Sequence, residues 1–290
     1  MKNGYLSEYV FINNINNRKY KETNILVQEL LKELYPKIKD NDLIIAYKYG
    51  KYAKVDIVVC VRNIKKGISM KTGNNNSVHL EKIDKFCKCL QKYSFKESER
   101  LRKYLYSDGT NNNTGENRYS TKEYQQMYPQ DIEILNKELE KYKKILITRF
   151  LIKTDVNYKV NVDAVVYGDI NNFIWATKKE ILEYLNNKKV DSVGVHVSSL
   201  FFQSWDKNLK YNPLYEKCRD YIQIKWFSLF EDILMIMCNR NMVEPHKSFK
   251  SDSVKYKKKN SVITKFLTNI WSGWWESDPR SQLGRLRFYH

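Results

Sequence analysis

No run of about 18 consecutive apolar residues occurs anywhere in this 290-residue sequence. The opening stretch, MKNGYLSEYV, also lacks the apolar segment of a secretion signal. Neither a membrane span nor secretion is therefore expected. The five cysteines, Cys60, Cys87, Cys89, Cys218 and Cys238, are odd in number and lack metal-ligand spacing. Cys87-Lys88-Cys89 is too tight for a usual zinc pair, and the four histidines, at 79, 196, 246 and 290, are scattered. A zinc site is not expected on that ground, and reduced thiols of a cytoplasmic protein are. A phosphate-binding loop of the G-x-x-x-x-G-K-[ST] type is absent too.

Negative charge is also scarce. There are 33 Asp and Glu against 51 Lys and Arg, a net charge of +18 and a pI near 9.4, which points to a polyanionic partner. A base-composition bias could inflate Lys, Asn, Ile and Tyr, as the Asn runs at 74–76 and 111–113 suggest. That bias would not suppress Asp and Glu, so nucleic acid is the preferred explanation. Apolar residues make up 42% of the chain, enough for a sizeable core and against global disorder.

Among the residues that are present, Lys54 to Glu81 is the most informative stretch. Val55 to Val61 is a β-branched run and Gly67 to Lys71 a second short strand, separated by the polar Arg62-Asn63-Ile64-Lys65-Lys66. A hairpin closing around Asn63 and Ile64 would set Asp56 opposite Lys71 and Val58 opposite Ser69. Ser69 and Lys71, two apart on one strand, then point to the face that carries Asp56. An acid, a hydroxyl and an ammonium would converge at one end of an apolar hairpin. Phosphodiester hydrolysis needs a carboxylate to hold Mg²⁺ and a cation near the attacking water.

This segment resembles the PD-(D/E)xK nuclease superfamily of restriction-endonuclease-like folds, whose signature is an Asp on one strand and (D/E)-x-Lys on the next. The first half here is Lys54-Val55-Asp56, without the proline. The second is Ser69-Met70-Lys71, with serine where the second acid normally stands. In some type II restriction enzymes the missing glutamate lies on the following helix, and Glu81 in Asn76-Ser77-Val78-His79-Leu80-Glu81 is offered for that position. The family's first core helix often presents a glutamate to the metal, for which Glu29 and Glu33 are candidates; a solvated helix face explains them equally well. The resemblance covers about the first third of the chain. It implies Asp56, Ser69, Lys71 and Glu81 as catalytic residues, with Asp56 and Glu81 binding Mg²⁺, for which Mn²⁺ can substitute. It further implies double-stranded DNA as substrate, a homodimer cutting two strands, and a cognate methyltransferase acting on the same site.

Read in order, residues 1–22 form a strand or loop. Thr23 or Asn24 then caps a helix whose Ile25, Leu26, Leu30, Leu31 and Leu34 share one side before Pro36. Leu43 to Tyr49 reads as an edge strand. A Gly/Asn-rich loop, 72–77, feeds a helix from Val78 to about Tyr93, with Ser77 as its cap and Glu81 in its first turn. Asn76, Ser77 and His79 could touch DNA there, although capping is an ordinary role for Ser77 and a lone histidine is more often structural. Residues 94–144 read as a helical insertion broken by a loop at 107–115. Strands follow at 145–152, 160–169 and 172–176, a helix at 178–185, and further strands at 193–202 and 220–230. Asp163 with Gln223-Ile224-Lys225 is a second, weaker candidate pair, because Gln-x-Lys is another variant half-motif and no simple hairpin relates the two.

Ser198-Ser199 and Gln203-Ser204-Trp205 could read base edges or phosphates. Trp205, Tyr211 and Trp226 interleave with Lys207, Lys210 and Arg219, a mix suited to nucleic acid, although packing explains single tryptophans. The basic run Lys247–Lys259 would attract phosphates nonspecifically, and the Trp-rich tail carries Arg280, Arg285 and Arg287 toward DNA.

The expected class is α/β of the mixed α+β kind: a restriction-endonuclease-like core with a central mixed sheet flanked by helices, a helical insertion and a C-terminal β-rich extension. Residues 1–152 would be the nuclease core and 153–290 a recognition region continuous with it. The expected function is a Mg²⁺-dependent DNA endonuclease of the type II restriction type. The alternative is a non-catalytic basic protein that binds nucleic acid or an anionic membrane surface.

Overall fold

The structure, a computed structural model, describes residues 3–50, 53–73, 76–107, 109, 119–154, 159–204 and 220–243. The N-terminal half runs α1 (Asn3–Ile15), β1 (Arg18–Lys19), α2 (Ile25–Leu34), β2 (Leu43–Lys48), β3 (Ile57–Val61), β4 (Ile64–Lys71) and β5 (Ser77–Lys82). There follow α3 (Ile83–Gln91), α4 (Ser98–Tyr106), α5 (Thr121–Met127), α6 (Pro129–Glu140) and α7 (Lys143–Ile147), the last widened by a π-helical turn, Thr148–Ile152. The rest is β6 (Val162–Asp169), β7 (Asn172–Thr177), α8 (Lys178–Asn187), β8 (His196–Val197), β9 (Leu200–Ser204), β10 (Tyr221–Trp226) and α9 (Leu229–Val243). The chain divides into compact units Met1–Asn239 and Arg240–His290, the second described only through Val243.

The architecture is α+β. A six-stranded mixed sheet has the order β1-β2-β3-β4-β6-β7, antiparallel throughout except for the parallel β4–β6 pair. A second, antiparallel sheet has the order β5-β10-β9-β8. The β4–β6 and β5–β10 pairings both cross the division expected near residue 152. No described helix is long and apolar enough to cross a membrane.

One face of the first sheet is covered by α1 and α2. Phe11, Ile12 and Ile15 from α1 and Val27, Leu30, Leu31 and Leu34 from α2 pack on Ile44, Ile57, Val59, Ile68, Val166 and Trp175. Helix α2 starts where its cap predicts, with Asn24 Oδ1 accepting the Val27 N–H at 2.9 Å. Helix α1 replaces the expected strand or loop. Exposed Leu6, Tyr9 and Val10 dilute its amphipathic pattern, which emerges only once Phe11, Ile12 and Ile15 are buried.

Three other expectations are corrected. Residues 145–152 form α7 and its π turn instead of a strand, a short apolar run being ambiguous between buried helix and strand. Ser77–Lys82 is a strand, and the helix begins at Ile83. The partner of that strand is β10, whose pairing with it depends on residues more than a hundred positions away. The β3–β4 hairpin turns at Arg62-Asn63, one residue earlier than expected, so Val58 faces Gly67 and Ile57 faces Ile68. Both turn residues have positive φ, 47° and 66°, as a two-residue primed turn requires. The resulting two-residue shift in pairing preserves the strand face, so Asp56, Ser69 and Lys71 stay together.

Gly67 secures the junction of β4 and β6. A Cβ there would stand 2.3 Å from the Asn161 carbonyl oxygen and 2.7 Å from Val55 Cγ2. Its N–H donates to Asp163 Oδ2 at 3.0 Å.

Candidate active site

The Asp56 carboxylate sits just ahead of β3. Its own N–H donates to the Ile68 carbonyl at 2.9 Å. Oδ2 accepts the Met70 N–H at 2.7 Å and the Ser69 hydroxyl at 3.2 Å, while among the described residues Oδ1 accepts no hydrogen bond. Burial pushes the Asp56 carboxyl above its ordinary 3.8, against the opposing pull of the Lys71 charge and the Met70 N–H. Lys71 joins no close ion pair among the described residues and acts on Asp56 through space. Asp56, Ser69 and Lys71 line one cavity of about 380 Å³, with Lys54, Ser77, His79, Phe150, Leu151, Val165 and Trp226 among the other walls.

A further carboxylate near Asp56, one that the sequence pattern does not single out, is Glu8 on α1. Burial raises its carboxyl above 4.5; Lys48, whose Nζ donates to Glu8 Oε2 at 2.6 Å, opposes the rise, and Asp56 adds to it. Glu8 occupies the first position of the inward stripe completed by Phe11, Ile12 and Ile15, at i, i+3, i+4 and i+7. An acid on an apolar stripe is the available signal, and it is hidden as long as residues 1–22 read as strand or loop. Glu29 and Glu33 are placed differently: Glu29 acts on Tyr20, and Glu33 is exposed on α2.

Glu81, expected on a helix facing the metal, is instead on β5 with its side chain buried at 6% exposure. Arg149, in the π turn, grips it with two hydrogen bonds, Nη2 to Oε2 at 2.6 Å and Nε to Oε1 at 3.1 Å. His79 Nε2 lies 2.7 Å from Glu81 Oε1. Burial alone would raise the Glu81 carboxyl, but the hydrogen bonds from His79 and Arg149 prevail and hold it at about 2 against 4.5. Three donors occupy this carboxylate, and Glu81 lies outside the cavity lining. Arg149 is the second residue that the sequence pattern misses, because its apolar segment reads as a strand. Lys54 ties that segment to the hairpin, its Nζ donating to the carbonyls of Arg149 and Lys153 at 2.6 and 2.7 Å.

The remaining candidates separate. The Ser77 hydroxyl accepts from Gln223 Nε2 at 3.0 Å, and Gln203 Nε2 donates to Gln223 Oε1 at 2.7 Å, forming a polar ladder across β5, β10 and β9. Asn76 is half-buried, and its carbonyl accepts the Trp226 N–H. Ser199 is 1% exposed in the β8–β9 turn, so its side chain cannot serve as a surface contact to DNA. Asp163 receives Lys66 Nζ at 3.4 Å in the first sheet, whereas Lys225 lies over the Phe227 ring in the second sheet, so that rival pair is not assembled. Trp226 is fully buried, its Nε1 donating to Asp232. Lys207, Lys210, Arg219, Trp205 and Tyr211, together with the basic run from Lys247, Arg280, Arg285 and Arg287, lie outside the described residues.

The chain matches no family model and no curated protein sequence.

Proposed function

We propose that the protein is a Mg²⁺-dependent DNA endonuclease with its reaction centre at the open end of the β3–β4 hairpin. The observation that carries this reading is the meeting of Asp56, Ser69 and Lys71 in one cavity, with Glu8 electrostatically coupled to Asp56. Asp56 offers a hard divalent cation a desolvated carboxylate with one oxygen that no described residue occupies, and since the described residues hold no cluster of three or more potential ligands, waters and substrate phosphate would complete the shell. Asp56 would hold the ion, which when bound supplies charge neutralisation at the scissile phosphate and an acidified water, while Glu8, paired with Lys48, acts on Asp56 through its charge. Ser69 and the Met70 N–H fix the Asp56 carboxylate. Lys71, as an ammonium, orients the water and offsets charge gathering on the phosphoryl oxygens. The net charge of +18 draws the polyanion.

A second reading is a nuclease-like fold that binds nucleic acid without cutting it. The engagement of Glu81 with Arg149 favours it, because Asp56 is then the one carboxylate among the described residues that lines the cavity. Incubation with plasmid DNA and Mg²⁺, followed by sequencing of any ends, separates the two. The nuclease reading expects cuts that vanish in Lys71→Ala while folding and DNA binding persist. Unimpaired cutting by Lys71→Ala would remove the proposed centre.

A further inference from the structure

Among the residues that share a cavity with Asp56 is a histidine held by a carboxylate. His79 Nε2 is 2.7 Å from Glu81 Oε1, and Glu81 is fixed in turn by Arg149. The ring packs on Phe150, with centroids 5.2 Å apart, so its orientation is set on two sides. The other nitrogen, Nδ1, has no hydrogen-bond partner among the described residues and is not among the polar atoms sealed from solvent. His79 lines the cavity that holds Asp56, Ser69 and Lys71.

The tautomer follows from this arrangement. Glu81, with its carboxyl held at about 2, is ionised at neutral pH and can only accept. Nε2 must therefore carry the hydrogen, and in the neutral ring Nδ1 carries the lone pair. The charged groups around the ring are Glu81 on β5, Arg149 in the π turn and Lys54 ahead of β3, and Asp56 and Lys71 line the same cavity. Burial is the largest influence on the ring and lowers its pKa below 6.5; Glu81 works against it, and Lys54 and Arg149 add to it. The ring is thus neutral near pH 7.

Building on the nuclease reading, we propose that His79 is the general base of the reaction and that Glu81 and Arg149 are its positioning residues. Lys71, as an ammonium, has donors but no lone pair, so it can orient the water without accepting its proton. In the step assigned to His79, Nδ1 takes one proton from water as the water oxygen bonds to phosphorus. The phosphorus–ester oxygen bond breaks, its electron pair leaves with that oxygen, and the oxygen takes a proton from bulk water. His79 then releases its proton to solvent.

Four measurements test this assignment. Cleavage by His79→Gln is expected to fall by about 10²-fold or more, and the rise of wild-type rate with pH through the imidazole range is expected to disappear. In Glu81→Gln the loss of the anion lowers the His79 pKa, so that limb moves to lower pH. Added imidazole should restore part of the rate to His79→Ala and none to Lys71→Ala. Nitrogen NMR of the ring, independent of turnover, should find the hydrogen on Nε2. If the wild-type protein cuts no DNA with Mg²⁺, the nuclease reading fails. If it cuts and His79→Gln cuts equally well with an unchanged pH profile, or the hydrogen is on Nδ1, the assignment of His79 alone is overturned.

Discussion

Asp56 and Glu81 are two largely buried carboxylates, one beside each sheet, and their surroundings push them in opposite directions. Glu81 meets a guanidinium squarely and an imidazole besides, and its carboxyl falls to about 2. Asp56 receives one N–H and one hydroxyl, faces Lys71 only at a distance, and its carboxyl rises. The sequence pattern offers both as ligands to the same ion, yet only Asp56 keeps a carboxylate oxygen that accepts no hydrogen bond among the described residues. A carboxylate already matched by fixed cations gains little from another, whereas a desolvated one short of positive charge gains much.

The largest effect that would sharpen this contrast is on turnover. Asp56→Asn keeps the shape of the side chain but removes its charge, and Mg²⁺-dependent cleavage is expected to drop by about 10³-fold or more, equivalent to about 4 kcal/mol. Gel-resolved plasmid cleavage under single-turnover conditions measures it. Retention of wild-type rate in Asp56→Asn would erase the distinction between the two acids.

The next effect is on stability and belongs to Glu81. Truncating it to alanine leaves Arg149 without its partner, and breaking a pair of this kind costs about 3–5 kcal/mol, readable by urea denaturation. The pH dependence carries the same information. A carboxyl depressed in the folded state contributes stability above its unfolded pKa, and that stability fades as pH falls through the folded value. For Glu81 the window runs from 4.5 down to about 2, and the contribution is about 3 kcal/mol. Wild-type protein should lose that increment across the window and Glu81→Gln should not; parallel acid-unfolding curves would contradict the clamp.

The same pair of acids shows how far the sequence can be read. The hairpin is legible because its determinants are local: a β-branched run, a polar turn and a side-chain period of two, which keep Asp56, Ser69 and Lys71 on one face even though the turn falls one residue early. The mixed α+β class is legible for the same reason. The setting of Glu81 is not, because β5 finds its partner in β10 and its counter-charge in Arg149, both remote in sequence. Glu8 is hidden differently. It belongs to a helix with apolar residues on several sides, and only burial shows which of them face inward.

The smallest expected effect concerns the stability cost of keeping Asp56 charged. A carboxyl raised in the folded state contributes stability that is complete below its unfolded pKa and lost as pH rises through the folded value, the reverse of Glu81. Above that raised value the native protein therefore carries an unfavourable buried charge at the cavity. Asp56→Asn relieves it, since the amide oxygen can still accept from Ser69 and the Met70 N–H, and the variant should be more stable than wild type by about 1 kcal/mol. The gain should shrink as pH falls through the raised folded value, where wild-type Asp56 takes up its proton, and be gone in the ordinary carboxylate range. Thermal unfolding of both proteins at neutral and mildly acidic pH measures it. A variant less stable than wild type at neutral pH would show Asp56 to be a structural acid like Glu81, and the division between the two carboxylates would collapse.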